Sequence, residues 1–201
     1  MALRGLNMTC SKSIIYISTT ERNEQLMTVW GLTGKSGSGK TTVAKLLADK
    51  GFYVIDGDVL ARKAVEKGSP VLQQLADCFG ADIILPDGTL DRRKTAERAF
   101  SSPESTKKLN FITHGEIDRL FSLETEKAKK AGYENCLFDA AALLESPSKA
   151  RCDKIIVVTA PLEVRLRRIL SRDGITEQEA MRRINAQKDD EYYFSRADIL
   201  I

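Results

Sequence analysis

The sequence contains few of the features that mark specialised protein classes. Its 201 residues include one histidine and four cysteines, and no cysteine pair has the C-x-x-C spacing of a zinc or redox site. The formal net charge of +3 is too small to indicate a nucleic acid partner. No apolar run approaches the roughly 20 residues of a membrane helix, and the first residues lack the long apolar region of a signal peptide. We therefore expect a cytoplasmic protein with neither nucleic acid nor membrane as a partner.

What the sequence does contain is a glycine-rich stretch, GLTGKSGSGKTT, at residues 31–42. It includes the pattern G-x-x-x-x-G-K-T, and it follows a short apolar run and precedes a helical pattern. That order of strand, loop and helix is the context of a phosphate-binding P-loop. A flexible Gly/Ser linker is the alternative, and the correct flanks favour the P-loop. The stretch predicts that the chain binds a nucleoside triphosphate.

The P-loop also predicts individual roles. Lys40 can reach the β- and γ-phosphates, and the Thr41 hydroxyl can ligate Mg²⁺. The glycines allow successive backbone N–H groups to point into one hollow, to which the following helix adds its positive end. The run expected to bind the nucleotide comprises Gly34, Lys35, Ser36, Gly37, Ser38, Gly39, Lys40, Thr41 and Thr42.

The rest of the chain reads as one α/β domain. Apolar runs that predict strands alternate with helical patterns, which favours a mostly parallel sheet with helices on both faces, the three-layer P-loop NTPase fold. We expect this domain to span residues 28–201. Residues 1–27 fit it poorly and are expected to form a poorly ordered extension, although 14–17 could instead add an edge strand.

Two aspartates follow the second predicted strand, at the sheet edge where α/β proteins bind ligands. Asp58 can accept the proton of an attacking hydroxyl, and Asp56 can order Mg²⁺ or its waters. The simpler interpretation is that one of them is a helix N-cap. If the first two strands are near neighbours, Asp58 lies close to Thr41.

Arginines recur at helical spacing near the C-terminus. Arg165, Arg168 and Arg172 share one face of a predicted helix, and Gly174 separates that helix from the next. A solvated charged face is one explanation. The other, which the glycine pivot favours, is a mobile lid that neutralises the transferring phosphoryl group.

These features together resemble the dephospho-coenzyme A kinase family over residues 28–201. The P-loop is the most specific of the matching motifs, and the order and spacing of the others carry the rest of the resemblance. Those others are I-D-x-D-x-x-A-R (55–62), D-G-T-L-D-R (87–92), L-x-x-I-x-H (109–114), D-A-x-x-L-x-E (139–145), R-I-x-x-R-D-G-I-T (168–176) and R-I-x-A-Q (183–187).

The resemblance implies ATP- and Mg²⁺-dependent phosphorylation of the ribose 3′-hydroxyl of dephospho-CoA, by a monomer or weak homo-oligomer. It implies catalytic roles for Asp58, Lys40 and Arg168, with Asp58 as the base and Arg168 and Arg172 on the ATP phosphates. It also implies a lid at about 163–186 and a helical substrate-binding region at about 59–130. The substrate-binding residues would be Asp58, Arg62, Arg92 and His114, although His114 by itself is more typical of a structural histidine.

Other functions stay open at this stage. A small-metabolite kinase of the shikimate kinase kind also has D-x-D after its P-loop, and a GTP-dependent switch would need an N-K-x-D signature, which is missing. The family commonly continues beyond a final strand, whereas this chain stops at Ile201, so a catalytically impaired relative is a third hypothesis.

Lys35 and Ser36 replace the usual Gly-Ile, which places an extra cation in the mouth of the loop.

Overall fold

The core of the protein is a sheet of strands that are apolar along most of their length. The computed structural model describes residues 27–201, so the expected extension at 1–27, with its possible edge strand at 14–17, lies outside the described residues except for Met27, which is buried in the core. Within them the sheet has five strands: β1 (Thr28–Gly34), β2 (Tyr53–Asp56), β3 (Asn135–Asp139), β4 (Lys154–Val158) and β5 (Ile199–Leu200).

All neighbouring strands are parallel, in the order β2-β3-β1-β4-β5. The predicted parallel sheet is therefore confirmed. The first two strands are not neighbours, however, because β3 lies between them: Cys136 pairs with Val29 on one side and Tyr53 on the other. The two strands are nevertheless only one strand apart, and Asp58 and Thr41 line the same cavity beside the P-loop, which confirms their expected proximity.

Eight α-helices and three short 3-10 helices complete the described part of the chain. The α-helices are α1 (Lys40–Ala48), α2 (Gly57–Ala64), α3 (Pro70–Phe79), α4 (Arg92–Ala99), α5 (Pro103–Lys130), α6 (Leu162–Asp173), α7 (Glu177–Asn185) and α8 (Asp190–Phe194). The 3-10 helices are Ala81–Ile83, Leu143–Glu145 and Pro147–Arg151.

Helices cover both faces of the sheet. On one face Phe138 of β3 stacks on Phe121 of α5, with ring centroids 4.2 Å apart. On the other face Leu32 and Leu137 pack with Ala44 of α1. Because side chains alternate along a strand, a sheet covered on both faces needs the continuous apolar runs that the sequence contains. This is the expected three-layer P-loop kinase fold.

A second apolar cluster joins α3, α4 and the beginning of α5 beside the sheet. Its buried members are Val65, Val71, Leu72, Leu75, Ala76, Phe79, Ile83 and Ala99, and Leu109 and Ile112 of α5 pack against them. The 28-residue helix α5 therefore belongs to both clusters, since its later residue Phe121 contacts the sheet. It connects the helical region rigidly to the sheet.

The two helices at the expected lid form a small core of their own. Ile169 of α6 is buried against Ala180 and Ile184 of α7. Gly174 ends α6 in the left-handed conformation, with φ 63°, and Thr176 and Glu179 form the predicted capping box at the start of α7. The sequence did not predict α8, because five residues are too few to show a helical period.

Candidate active site

The P-loop wraps around the beginning of α1 as predicted. Gly37 and Gly39 have φ of 78° and 105°, a left-handed conformation that other residues adopt only with strain. A Cβ at Gly37 would also lie 2.6 Å from the Arg165 carbonyl oxygen, so α6 approaches the loop too closely for any side chain there. The loop borders a cavity of about 350 Å³, lined by Gly34, Lys35, Ser36, Gly37, Ser38, Gly39, Lys40, Thr41, Asp58, Ala141, Arg168 and Arg172.

Lys40 forms an ion pair and hydrogen bond with Asp139, the last residue of β3. Burial raises the pKa of the Asp139 carboxyl, and the Lys40 ammonium partly opposes that shift. The sequence analysis assigned no function to Asp139. The sequence feature that could have indicated a role for Asp139 is its position at the end of an apolar strand, at the edge of the sheet where α/β proteins bind ligands. Asp56 lies at the same edge, and the two residues pair in register.

The two aspartates after β2 have different environments. One oxygen of Asp56 accepts hydrogen bonds from the backbone N–H groups of Asp58 and Val59, at 2.8 and 3.1 Å. Asp56 is therefore the N-cap of α2, as the simpler interpretation allowed for one of the pair. Asp58 is exposed and lines the phosphate cavity. A carboxylate free of capping is available to a hydroxyl in that cavity.

Two of the three predicted arginines of α6, Arg165 and Arg168, contact the P-loop. Arg165 is buried, and its Nε donates to the Ser36 carbonyl at 2.9 Å. Arg168 donates through one nitrogen to the carbonyls of Gly37 and Ser38, at 3.1 and 2.8 Å. Both guanidinium groups therefore fix the loop from its outer side, and Arg168 also reaches the cavity.

Arg172 lies further along the same helix and also lines the cavity. Its guanidinium pairs with Asp173, which pairs in addition with Arg183 of α7. These contacts hold the pKa of Asp173 down at about 2. The ion pairs connect the two helices of the expected lid at the end nearest Gly174.

A second cavity, of about 120 Å³, begins where the first ends, since Asp58 and Ala141 line both. Its walls are mostly small and apolar: Gly57, Asp58, Ala61, His114, Ile117, Phe138, Ala140, Ala141, Ala142, Ser146 and Ser148. No hydrogen bond joins the His114 side chain to any residue from 27 to 201, and burial lowers its pKa. The structure therefore does not bear out a structural histidine satisfied by hydrogen bonds.

Four residues of the predicted site line neither cavity: Thr42, Asp56, Arg62 and Arg92. Thr42 is exposed on α1, Asp56 is exposed at the end of β2, and Arg62 and Arg92 are exposed on α2 and α4. Across residues 27–201 there is also no group of three or more histidine, cysteine or acidic side chains that could hold a metal ion by itself. None of the helices in this range is long and apolar enough to cross a membrane.

Comparison with known proteins gives one consistent family. The family profile described as dephospho-CoA kinase matches residues 28–201. A dephospho-CoA kinase of Corynebacterium glutamicum is 42% identical over 171 residues, covering 85% of this chain and 86% of that protein. One from Bacillus licheniformis is 39% identical over 173 residues, covering 86% of each.

Solved structures agree on the fold. A crystal structure of a Thermus thermophilus protein is similar with a TM-score of 0.74 and 34% identity, over 87% of both chains. A dephospho-CoA kinase from Campylobacter jejuni has a TM-score of 0.55 and 24% identity, again over 87% of both chains.

Proposed function

The chain belongs to the dephospho-CoA kinase family, and from that premise we propose how its residues perform the reaction. The reaction transfers the γ-phosphoryl group of ATP to the ribose 3′-hydroxyl of dephospho-CoA, giving coenzyme A and ADP in the last step of CoA biosynthesis. A shikimate kinase-like activity is not favoured. The observation that carries the residue assignment is that Asp58 lines both cavities, so it lies where donor and acceptor would meet.

Asp58 is the general base of this proposal. The acceptor hydroxyl forms its new bond to the γ-phosphorus as the bond from that phosphorus to the β–γ bridging oxygen breaks. The proton of the hydroxyl passes to the Asp58 carboxylate, and ADP leaves. Such a base contributes by orienting the hydroxyl and taking its proton late in the transfer.

Lys40, Arg168 and Arg172 stabilise the charge on the phosphates. Lys40 leaves Asp139 when the nucleotide enters, because a triphosphate offers it a stronger charge than one carboxylate. Arg168 keeps the loop in shape through its bonds to Gly37 and Ser38 while its guanidinium faces the cavity. Groups already in position for the developing charge need little reorganisation in the transition state.

The second cavity would receive part of dephospho-CoA beside the reacting ribose. His114 is neutral there and has an unused nitrogen donor and acceptor, suited to a polar edge of the substrate. Arg62 and Arg92, at the surface of the helical region, would bind more distant, anionic parts. The cytoplasm, where ATP is abundant, is the proposed location, and a monomer or weak homo-oligomer the proposed state.

Mg²⁺ fits the donors that are present. Thr41 lines the phosphate cavity, and capping engages one oxygen of Asp56, which leaves the other available. With so few protein donors, the ion would take its remaining ligands from ATP and water, as Mg²⁺ in kinases commonly does. When bound, it would neutralise charge on the β- and γ-phosphates.

A coupled assay tests the proposal by offering ATP with dephospho-CoA, shikimate or nucleoside monophosphates to the full chain. We expect turnover with dephospho-CoA alone, and phosphorus NMR should place the new phosphate on the ribose 3′-oxygen. Asp58→Asn preserves shape and should lower turnover by roughly 10²–10⁴-fold at unchanged ATP affinity. Asp56→Asn keeps a capping oxygen and should instead change the Mg²⁺ dependence. Normal turnover in Asp58→Asn combined with a dead Asp56→Asn would reverse the two assignments.

A further inference from the structure

The first half of the P-loop carries a second lysine, Lys35, which the mechanism above does not use. Its ammonium lies 2.6 Å from a carboxylate oxygen of Asp190, the first residue of α8. The Lys35 side chain is only 14% exposed, and it lines the phosphate cavity together with Lys40. A lysine in such a position has two anions within its range: the aspartate that it contacts now and a phosphate in the cavity.

The backbone around Lys35 is already occupied. The N–H of Ser36 donates to the side-chain oxygen of Gln187 at 3.1 Å, and the Ser36 carbonyl accepts from Arg165. Gln187 in turn accepts from Arg165 at 2.9 Å, which closes the network. The Ser36 amide is therefore engaged within the protein, whereas the Lys35 side chain lines the cavity and can donate to a phosphate there.

Asp190 is fixed in place but easily released from its partner. Tyr193 anchors α8 in the main apolar core, and the N-cap of α8 is Asp189, so Asp190 itself has no capping role. The Asp190 side chain is 62% exposed, whereas Asp139, the partner of Lys40, is 14% exposed. Water can solvate the exposed Asp190 carboxylate when Lys35 leaves, so only the largely buried Lys35 ammonium needs a new anionic partner.

We propose that Lys35 is a second phosphate-binding cation of the nucleotide site and that Asp190 competes with the nucleotide for it. Asp190 holds Lys35 when the site is empty, and the triphosphate draws Lys35 away from it. Asp190 is thus a positioning residue that weakens nucleotide binding in proportion to its hold on Lys35. The inference rests on the proposed function in one respect, that the cavity takes ATP.

The experiment measures binding of a non-hydrolysable ATP analogue with Mg²⁺, without dephospho-CoA, to the full chain and to three variants. We expect Lys35→Met to weaken binding by about 10-fold, since a charge-assisted contact is lost. Asp190→Asn should tighten binding by about 3-fold or more, because the competitor is gone. The double variant should bind like Lys35→Met alone. Steady-state kinetics should show the same changes in KM for ATP, with kcat changed far less.

Opposite effects of the two single variants on nucleotide affinity distinguish competition from a purely structural ion pair. If the pair only holds α8 against the loop, both single variants should lower the melting temperature and neither should tighten binding, which would overturn the proposal. If Asp190→Asn still tightens binding in the Lys35→Met background, Asp190 acts by direct repulsion, and competition for Lys35 is again overturned. Lys129→Met breaks an exposed ion pair with Glu126 on α5 and is the matched control, expected to leave binding unchanged.

The two proposals fail separately. Binding of the analogue requires no acceptor, so a wild-type chain that ignores dephospho-CoA would contradict the proposed function and leave the binding test intact. Conversely, unchanged analogue binding in Lys35→Met would overturn the role of Lys35 even in a chain with full dephospho-CoA kinase activity.

Discussion

The phosphate cavity beside the P-loop and the second cavity, called the acceptor cavity below because we propose that dephospho-CoA enters it, share Asp58 and Ala141 but differ in how they are built. The phosphate cavity is formed largely by consecutive residues of one loop, and its lysines and arginines are paired with aspartates or with backbone carbonyls. The acceptor cavity collects residues from α2, α5 and the segment after β3, and most of them are small or apolar. Charged side chains dominate the phosphate cavity, and small or apolar walls dominate the acceptor cavity.

This difference explains which parts of the site the sequence could predict. A phosphate is recognised by backbone N–H groups and cations, so its site needs a local pattern that can be read directly. The acceptor cavity needs the walls of several elements to meet, and alanines such as Ala140 and Ala142 carry no signal of their own. The mutations below test the contrast, from the largest expected effect to the smallest.

Lys40→Ala should have the largest effect if charge defines the phosphate cavity. The variant removes the cation proposed to contact the transferring phosphate and leaves the half-buried Asp139 carboxylate without its ion pair. We expect kcat/KM to fall by roughly 10³-fold or more, equivalent to several kcal/mol of transition-state stabilisation. Circular dichroism should confirm that the fold persists. Near-normal turnover would remove the P-loop from the mechanism altogether.

Arg168→Ala should have the next largest effect. It removes a cation from the cavity and two hydrogen bonds from the outer side of the loop, so turnover should fall by roughly 10–100-fold. The melting temperature should change little, because the loss is expected in catalysis and not in folding stability. Arg167→Ala is the matched control, because Arg167 is exposed on the same helix and does not line the cavity. Equal losses of turnover in the two variants would show that the arginines of α6 act only through their general positive charge.

His114→Ala should separate the two cavities. We expect KM for dephospho-CoA to rise by about 10-fold, as for a lost polar contact, while KM for ATP stays unchanged. Phe111→Ala, one turn earlier on α5, replaces a side chain that is outside this cavity and should change neither constant. A rise in KM for ATP in His114→Ala would show that the cavities are not independent.

Asp173→Asn should have the smallest effect and should depend on pH. The contacts with Arg172 and Arg183 lower the pKa of Asp173 to about 2 in the folded state, below its usual 3.8. The folded state therefore binds fewer protons than the unfolded state between these values, so the stabilisation is complete above about pH 4 and is lost toward pH 2. Thermal melts should show a melting temperature lower by about 1–3 °C in the variant at pH 6, since the pair is exposed. That difference should shrink as the pH falls below 4. A difference that persisted at low pH would assign the stabilisation to shape and not to charge.

The sequence predicted the fold class and most elements because the apolar periods were unambiguous. The sequence did not predict the strand order, because an apolar run does not indicate which other run pairs with it. The position of β3 between the first two strands was therefore not expected. Asp139 was missed for the same reason. Its ion pair with Lys40 requires β3 to lie beside β1, and only the order of the strands brings this about. For Asp56 and Asp58 the sequence left two interpretations open; the hydrogen bonds identify Asp56 as the N-cap of α2, and the metal role of Asp56 and the catalytic role of Asp58 stay predictions.

The strand order also determines when the phosphate site can exist during synthesis. β1 carries the P-loop near the beginning of the described chain, yet both of its partners, β3 and β4, belong to the second half. While the first half leaves the ribosome, neither of the strands that flank β1 in the described sheet is available, and only α1 is present to cover one of its faces. Such long-range parallel pairings form slowly, because the loop between them must close before any contact rewards it. The site that the chain encodes first is therefore completed late, and the nascent chain becomes able to hold ATP only after β4 has emerged.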